Sequence, residues 1–461
     1  MYNDVGSFVC ECFLCIGYEQ VRILFPCIVS CCIPNIQVCI MVSLLLIPQA
    51  FAGGGDSSAA PMVPLLWGLF LVGFVYITAH FVVERLQKRY LFASGVEYIA
   101  LGVGLSYLAV FHHRETYIPA VTFAVGWIGL MFGLKLPFRQ LFRNGAALRL
   151  ALTEFVFVGL GLGAIFSALL YFFVEANLAS CIICGGILGA TALATSSSAI
   201  DVVYQRFPTV ESHVINLLHQ GTKINNIISI LFFSVLLCTY RREHILGDMY
   251  QHAQLEGGML IALVTIVFGY LLSKLYSVFL IENDSENSRF LAITGFICFA
   301  AGAAVYVEIP VLLLMMFMGL GFAKKHKESI ISMMQGSQKP VILILLIFAG
   351  VQLENVALGT ASWMLLGFLV LRFLSKALAS WLSSYGSTIR ADIFRGNLAQ
   401  GEISLAIAFS FQLIDGPAAD MAYALAIASV AFYEFLSPRW LRDLLIDIGE
   451  IREDIAIIRE G

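Results

Sequence analysis

Long apolar runs alternate with short polar connections along most of the chain. The runs are about 20 residues long, the length at which an α-helix crosses a bilayer, whereas barrel strands would alternate over about 10 residues. The pattern therefore predicts an all-α polytopic membrane protein with thirteen transmembrane helices after an N-terminal leader. The predicted spans are 62–83, 91–111, 117–134, 148–173, 178–201, 212–238, 257–281, 290–306, 309–323, 339–352, 357–383, 395–414 and 419–436.

Polar residues interrupt two of these spans, the fifth (178–201) and the twelfth (395–414). Unwound backbone at membrane depth is tolerated only where it is buried in protein or lines a cavity. Paired interruptions at corresponding places in two halves indicate a secondary-transporter site between inverted repeats of six helices, with 257–281 as the linker. The candidate residues at the breaks are Thr195, Ser196, Ser197 and Ser198 in the fifth span, and Gly401 and Glu402 in the twelfth.

Composition supports the membrane assignment and excludes several functions. Hydrophobic residues make up 59% of the chain and charged residues 13%, and the mean hydropathy is +0.87. The net charge of −4 provides no basic field for nucleic acid. The sequence has no phosphate-binding glycine-rich motif, no H-E-x-x-H and no zinc-finger cysteine spacing, so we expect a transporter rather than an enzyme, without metal or cofactor.

Residues 1–52 have the character of a leader. They contain seven of the eleven cysteines, a short apolar core at Val38–Ile47, and an A-x-A cleavage pattern at Ala50–Ala52. The segment is a cleaved signal or a misplaced start, and its cysteines could hold a metal or palmitoyl groups. We place the transmembrane domain at 62–440 and a cytoplasmic tail at 441–461.

The distribution of lysine and arginine predicts the topology. With the N-terminus of the first span outside, seventeen Lys and Arg residues lie in the cytoplasmic connections, at the adjoining span ends and at the start of the tail, and three lie in the opposite connections. Because positive residues are retained on the cytoplasmic side, the C-terminus is predicted to be cytoplasmic in a plasma or inner membrane.

Ionisable residues inside the spans mark the candidate chemistry, since each costs roughly 2.5–3.5 kcal/mol to insert. Lys376 lies several residues from either end of its span; it is either bonded to carbonyls at a broken helix or a proton-carrying or substrate-pairing ammonium. Glu154 can pair with Lys376 or with Lys223, and Asp201 can lie at a funnel mouth. Glu402 can stabilise the amides of its broken helix. Two adjacent amides in the sixth span complete the set: Asn225 and Asn226.

Several short segments, in order, resemble the monovalent cation:proton antiporter superfamily, the sodium/proton exchangers. They are Ile128–Lys135, Ala194–Ser198, Gly319–Ala323, Phe348–Leu353 and Gln400–Leu405. The resemblance covers roughly 62–440. It implies a homodimer in the lipid bilayer, a core domain that slides past a rigid dimer domain, two crossed broken helices, and a monovalent cation and H⁺ as substrates. It also places Lys376 at the family's basic core residue.

The sequence departs from this family at the ion-binding pair of the sixth span. The family has Asp-Asp or Asn-Asp there, whereas this chain has Asn225-Asn226, and the upstream glutamate position is Gly221. An asparagine offers a neutral oxygen and does not titrate, so cation and proton cannot compete for residue 226. Three hypotheses remain: antiport with the chemistry moved to Lys376 and to Glu154 or Asp201, transport of an anionic or neutral solute, and a non-transporting sensor.

Overall fold

The computed structural model describes residues 95–450 with short gaps, together with residues 70, 72–73 and 76–77. The predicted leader and the last part of the tail lie outside the described residues, as does Ser198. The gaps are 108–116, 138–140, 142–143, 175, 198, 202, 204–212, 247–253, 280–285, 356–357, 388 and 415.

Within these ranges the chain is helical and contains no β-strand. Two short 3₁₀ segments, Gln352–Asn355 and Ile393–Asn397, lie outside the main helices. The main helices are α1 (Val96–Ser106), α2 (Ile118–Lys135), α3 (Gly145–Val174), α4 (Leu178–Leu193), α5 (His213–Leu246), α6 (Gln254–Phe279), α7 (Glu286–Tyr306), α8 (Val311–Gly321), α9 (Lys324–Val351), α10 (Leu358–Ser384), α11 (Glu402–Leu413, of which Phe409–Leu413 is 3₁₀) and α12 (Pro417–Asp447).

Eight of the described helices are long and apolar enough to cross a membrane, and four apolar helices are shorter. Together they correspond to twelve of the thirteen predicted spans, and most of the first span, 62–83, lies outside the described residues. The tenth predicted span, 339–352, is part of a longer helix, because Lys324–Val351 is continuous with Pro340 inside it. The sequence pattern missed the first half of this helix because polar residues occupy it.

The helices form two packing groups. The scaffold group consists of α1, α2, α7, α8 and α9, and the core group of α3, α4, α5, α10, α11 and α12, while α6 packs on both α5 and α8. Glycine allows close approach inside each group. A Cβ on Gly133 of α2 would lie 2.1 Å from the Met316 carbonyl oxygen of α8, and one on Gly189 of α4 would lie 2.2 Å from the Gly159 carbonyl oxygen of α3.

Candidate functional site

The two predicted breaks meet inside the core group. The contact between Ala194–Ser196 and Ala399–Ser404 is here called the crossing. After α4 ends at Leu193, the Ser196 amide donates a hydrogen bond to the Ala399 carbonyl at 3.0 Å, and the Ser404 hydroxyl donates to the Ala194 carbonyl at 3.1 Å. Gly401 is required at the contact, because a Cβ there would lie 2.4 Å from the Ser196 hydroxyl oxygen. The unwound backbone groups therefore bond to each other, as backbone removed from water must.

Arg372 of α10 stabilises this crossing. Its side chain is fully buried, and its guanidinium donates 2.9 Å hydrogen bonds to the carbonyls of Ala192 and Leu398, one from each broken segment. The guanidinium also lies 4.2 Å from the centre of the Tyr433 ring. A cation at the C-terminal end of a helix is electrostatically favourable, so Arg372 offsets the partial negative charge where the helices stop.

Next to the crossing is an ion pair between Glu154 and Lys376. The Lys376 Nζ lies 2.6 Å from Glu154 Oε2, and both side chains have zero exposed fraction. The same oxygen accepts a hydrogen bond from Asn225 Nδ2 at 2.6 Å, and Glu154 Oε1 accepts one from Asn397 Nδ2 at 2.7 Å. A buried charge is tolerated where it is paired and hydrogen-bonded, and this carboxylate has three donors from three different segments.

The adjacent Asn226 does not touch the carboxylate through any described hydrogen bond. Its Oδ1 accepts the Thr195 amide at 2.9 Å, so it binds backbone that the first break has released. Two other buried oxygens nearby, Asn225 Oδ1 and Thr195 Oγ1, have no hydrogen-bond partner among the described residues. Neutral oxygens of this kind are suited to a small hard cation.

A π-helical segment follows Glu154 directly and occupies Phe155–Leu162. Such segments are rare and often mark functional sites, because they insert extra residues into a helix without ending it. Here the segment contains Gly159, whose carbonyl packs against Gly189. It therefore sets how Glu154 faces the crossing relative to the rest of α3.

Asp201 and Lys223 have no described hydrogen bond or ion pair with Glu154 or Lys376. Asp201 is exposed and is within electrostatic range of Lys223 and His219, and its carboxylate accepts a 3.4 Å hydrogen bond from Ser197. Among the described contacts, Lys223 does not pair with Glu154. Asp201 and Lys223 thus form a second polar region beside His219.

Glu402 links the core group to the scaffold group. Gln338 Nε2 of α9 donates to the Glu402 carboxylate at 3.3 Å, and Gln338 Oε1 accepts a hydrogen bond from Lys135 of α2. The proposed bonding of Glu402 to its own broken helix is not among the hydrogen bonds that the structure gives. Its described partner is the amide of Gln338.

Sequence reasoning placed Lys376 and Glu154 among the candidates and left the partner of each open. It missed Asn397 and Arg372 as functional residues. Asn397 was visible only as part of the polar run in span twelve, and Arg372 lies one helical turn before Lys376 in an apolar stretch. The available signal for Arg372 was a second cation inside the same span, one helical turn from Lys376. A cation buried in a span needs hydrogen-bond acceptors around it. No group of three or more His, Cys, Asp and Glu suited to a metal is found in the described part of the chain.

Comparison with known proteins agrees with the helical membrane fold. The model of the family described as "Sodium/hydrogen exchanger, transmembrane" matches residues 74–446. The structure is similar to that of a sodium proton antiporter from Methanocaldococcus jannaschii, determined at pH 8, with a TM-score of 0.59 and 18% sequence identity. The match covers 86% of this chain and 100% of that one. No curated protein matches the sequence.

Proposed function

Because the chain belongs to the sodium/hydrogen exchanger family, we propose that it exchanges a monovalent cation, Na⁺ or K⁺, for H⁺ at the Glu154–Lys376 pair. The observation that carries the proposal is the 2.6 Å contact between these two fully buried groups. The pair supplies the two functions that Asn226 cannot, an anionic ligand and a titratable proton carrier.

The charge balance of the pair permits such an exchange. With the Lys376 ammonium next to the Glu154 carboxylate, the site is neutral. When the ammonium releases one proton towards water, the carboxylate is left without a counter-ion, and one monovalent cation restores neutrality. Cation and proton would then alternate at one site although residue 226 does not titrate, because each occupied state avoids an unpaired buried charge.

Neutral ligands for the cation would come from Asn225, which contacts Glu154, and from the first break. Asn225 Oδ1 and Thr195 Oγ1 are buried acceptors without a described partner. Asn226 would support the site indirectly by holding the Thr195 amide. The competing hypothesis of an anionic solute relies on Lys376 and Lys223 as uncompensated cations, and the contact with Glu154 compensates the charge of Lys376.

We further propose that the core group moves past the scaffold group to give alternating access. Two polar contacts join the groups, one at the middle of α9 and one directly after its C-terminal end. Gln338 bonds to Glu402, and the Tyr423 hydroxyl lies 3.2 Å from Gln352 Oε1. A cysteine pair, Gln338→Cys with Glu402→Cys, joined by a reducible bifunctional thiol reagent should stop exchange and recover on reduction, while neither single variant should be stopped by the reagent. Full exchange by the cross-linked protein would contradict the sliding motion.

The multi-pass chain is proposed to work as a homodimer in a plasma or inner membrane with its C-terminus in the cytoplasm. The excess of lysine and arginine on that side supports the orientation. Labelling of a C-terminal tag in intact and permeabilised cells tests this orientation. Labelling only after permeabilisation supports a cytoplasmic C-terminus, whereas labelling in intact cells would place the C-terminus outside.

The central test uses purified protein in proteoliposomes that contain a trapped pH dye. An imposed proton gradient is followed by Na⁺, Li⁺ or K⁺, and in separate samples by organic anions. Dissipation that depends on a cation and is abolished in Lys376→Ala and Glu154→Gln supports the proposal, and Asp201→Asn is the control outside the pair. No response to any cation would refute antiport and favour a sensor, whereas a response to an anion would favour the solute hypothesis.

A further inference from the structure

Asn397 is the one described partner of Glu154 that belongs to the second broken segment. It is the last residue of the 3₁₀ segment Ile393–Asn397, and 1% of it is exposed. Its amide nitrogen lies 2.7 Å from Glu154 Oε1, whereas Lys376 and Asn225 both bond to Oε2. Each carboxylate oxygen therefore has its own set of donors.

The orientation of the Asn397 amide is fixed from the other end. Its Oδ1 is 3.4 Å from the Thr222 hydroxyl of α5, which donates to it. An amide held in this way presents its N–H to Glu154 and its oxygen elsewhere, so it cannot act as a cation ligand without turning. Asn225 differs, because its oxygen has no described partner.

The residues after Asn397 take part in the contact between the two breaks. The Leu398 carbonyl accepts from Arg372, and the Ala399 carbonyl accepts from the Ser196 amide. The hydrogen bond to Glu154 Oε1 is thus one and two residues away from these contacts. Asn397 therefore joins the carboxylate to the second broken segment.

We propose that Asn397, oriented by Thr222, is a positioning residue that competes with the transported cation for Glu154 Oε1 and so sets the cation affinity. This inference rests on the proposed function, because it assigns the cation to Glu154. A cation that binds Oε1 from the side of Asn397 displaces the Asn397 N–H, and the lost hydrogen bond weakens binding. The weaker binding lets the cation leave on the far side of the membrane.

The test compares Asn397→Leu and Thr222→Val with wild type in the proteoliposome assay. Removing a hydrogen bond to a charged group, worth roughly 1.5–3 kcal/mol, should lower the KM for the cation by about tenfold or more in Asn397→Leu. The maximal rate should fall as well, because a more tightly held cation leaves more slowly. Thr222→Val should shift both quantities in the same direction by about two- to threefold, since it frees the amide without removing it.

Gln400→Met is the matched control. Gln400 is a buried amide of the same break, but it bonds to the Thr191 carbonyl and to Ser429 rather than to Glu154. This variant should lose stability and leave the KM unchanged. An unchanged or raised KM in Asn397→Leu would overturn the inference and assign Asn397 a structural role.

A binding measurement separates this inference from the proposed function. Thermal unfolding of the detergent-solubilised protein is followed with Na⁺, Li⁺ or K⁺, with choline holding the ionic strength constant. If wild type is stabilised by a cation but transports none, the proposed function fails, and the inference is judged by whether Asn397→Leu binds about tenfold more tightly. If wild type shows neither stabilisation nor transport, both are overturned.

Discussion

Removing one charge of the Glu154–Lys376 pair should destabilise the protein far more than removing both. At the 2.6 Å separation and an effective dielectric constant of about 20, the attraction is about 6 kcal/mol, and the desolvation of the two ions, several kcal/mol each, offsets it. The intact pair is therefore close to neutral for stability. Glu154→Gln or Lys376→Met leaves one uncompensated buried charge, and each should cost about 3–5 kcal/mol.

The double variant Glu154→Gln/Lys376→Met should recover most of that loss, to within about 1 kcal/mol of wild type, but it should not transport. Denaturant unfolding in mixed micelles measures the stability of the four proteins, and the proteoliposome assay measures their exchange. The exposed Asp201 provides the control, because Asp201→Asn should change the free energy of unfolding by about 0.5 kcal/mol or less.

Additive losses in the double variant would refute the reasoning, since they would show that the two side chains do not interact in the folded protein. A stable Glu154→Gln variant that still exchanges cations would refute it as well. In that case the carboxylate would be neither the counter-ion of Lys376 nor the ligand of the cation.

Three further outcomes follow from the crossing and its packing. Asn226→Asp keeps an acceptor for the Thr195 amide and adds a carboxylate near Glu154. Its cation-dependent exchange in proteoliposomes should therefore equal or exceed that of wild type. A complete loss of exchange would contradict the antiport hypothesis. Arg372→Leu leaves two buried carbonyls without a donor, and the free energy of unfolding measured by denaturant titration should fall by about 3–5 kcal/mol. A fall of that size would rule out a minor role for Arg372. Gly189→Ala places a Cβ against the Gly159 carbonyl and should lower the free energy of unfolding by about 1–3 kcal/mol. In the control Gly295→Ala the added Cβ meets no atom within 4 Å, so the free energy of unfolding should not fall. Equal effects of the two substitutions would show that the close packing at Gly189 is not needed.

The length and spacing of the apolar runs were enough to predict the helical membrane fold. The helical state of each run is a local property, because a helix of about 20 apolar residues satisfies its own backbone hydrogen bonds independently of neighbouring segments. The breaks at Ala194–Ser198 and Asn397–Ser404 could be found for the same reason, since polar residues at membrane depth are costly. The start of α9 at Lys324 could not, because helix that extends beyond the apolar layer carries no hydropathy signal.

The assignment of partners in the site depended on tertiary structure. From the sequence, Glu154 could pair with Lys376 or with Lys223, and Asp201 was an equal candidate for the anionic ligand. Residues 222 positions apart in the chain meet only through the packing of α3 against α10. The sequence by itself determined that buried charges exist and that each needs a counter-ion or hydrogen-bond partners. This is because the free energy of moving a charged side chain from water into the membrane depends on the type of residue. Only the fold decided which groups meet, since Coulomb and hydrogen-bond energies depend on distances that packing sets.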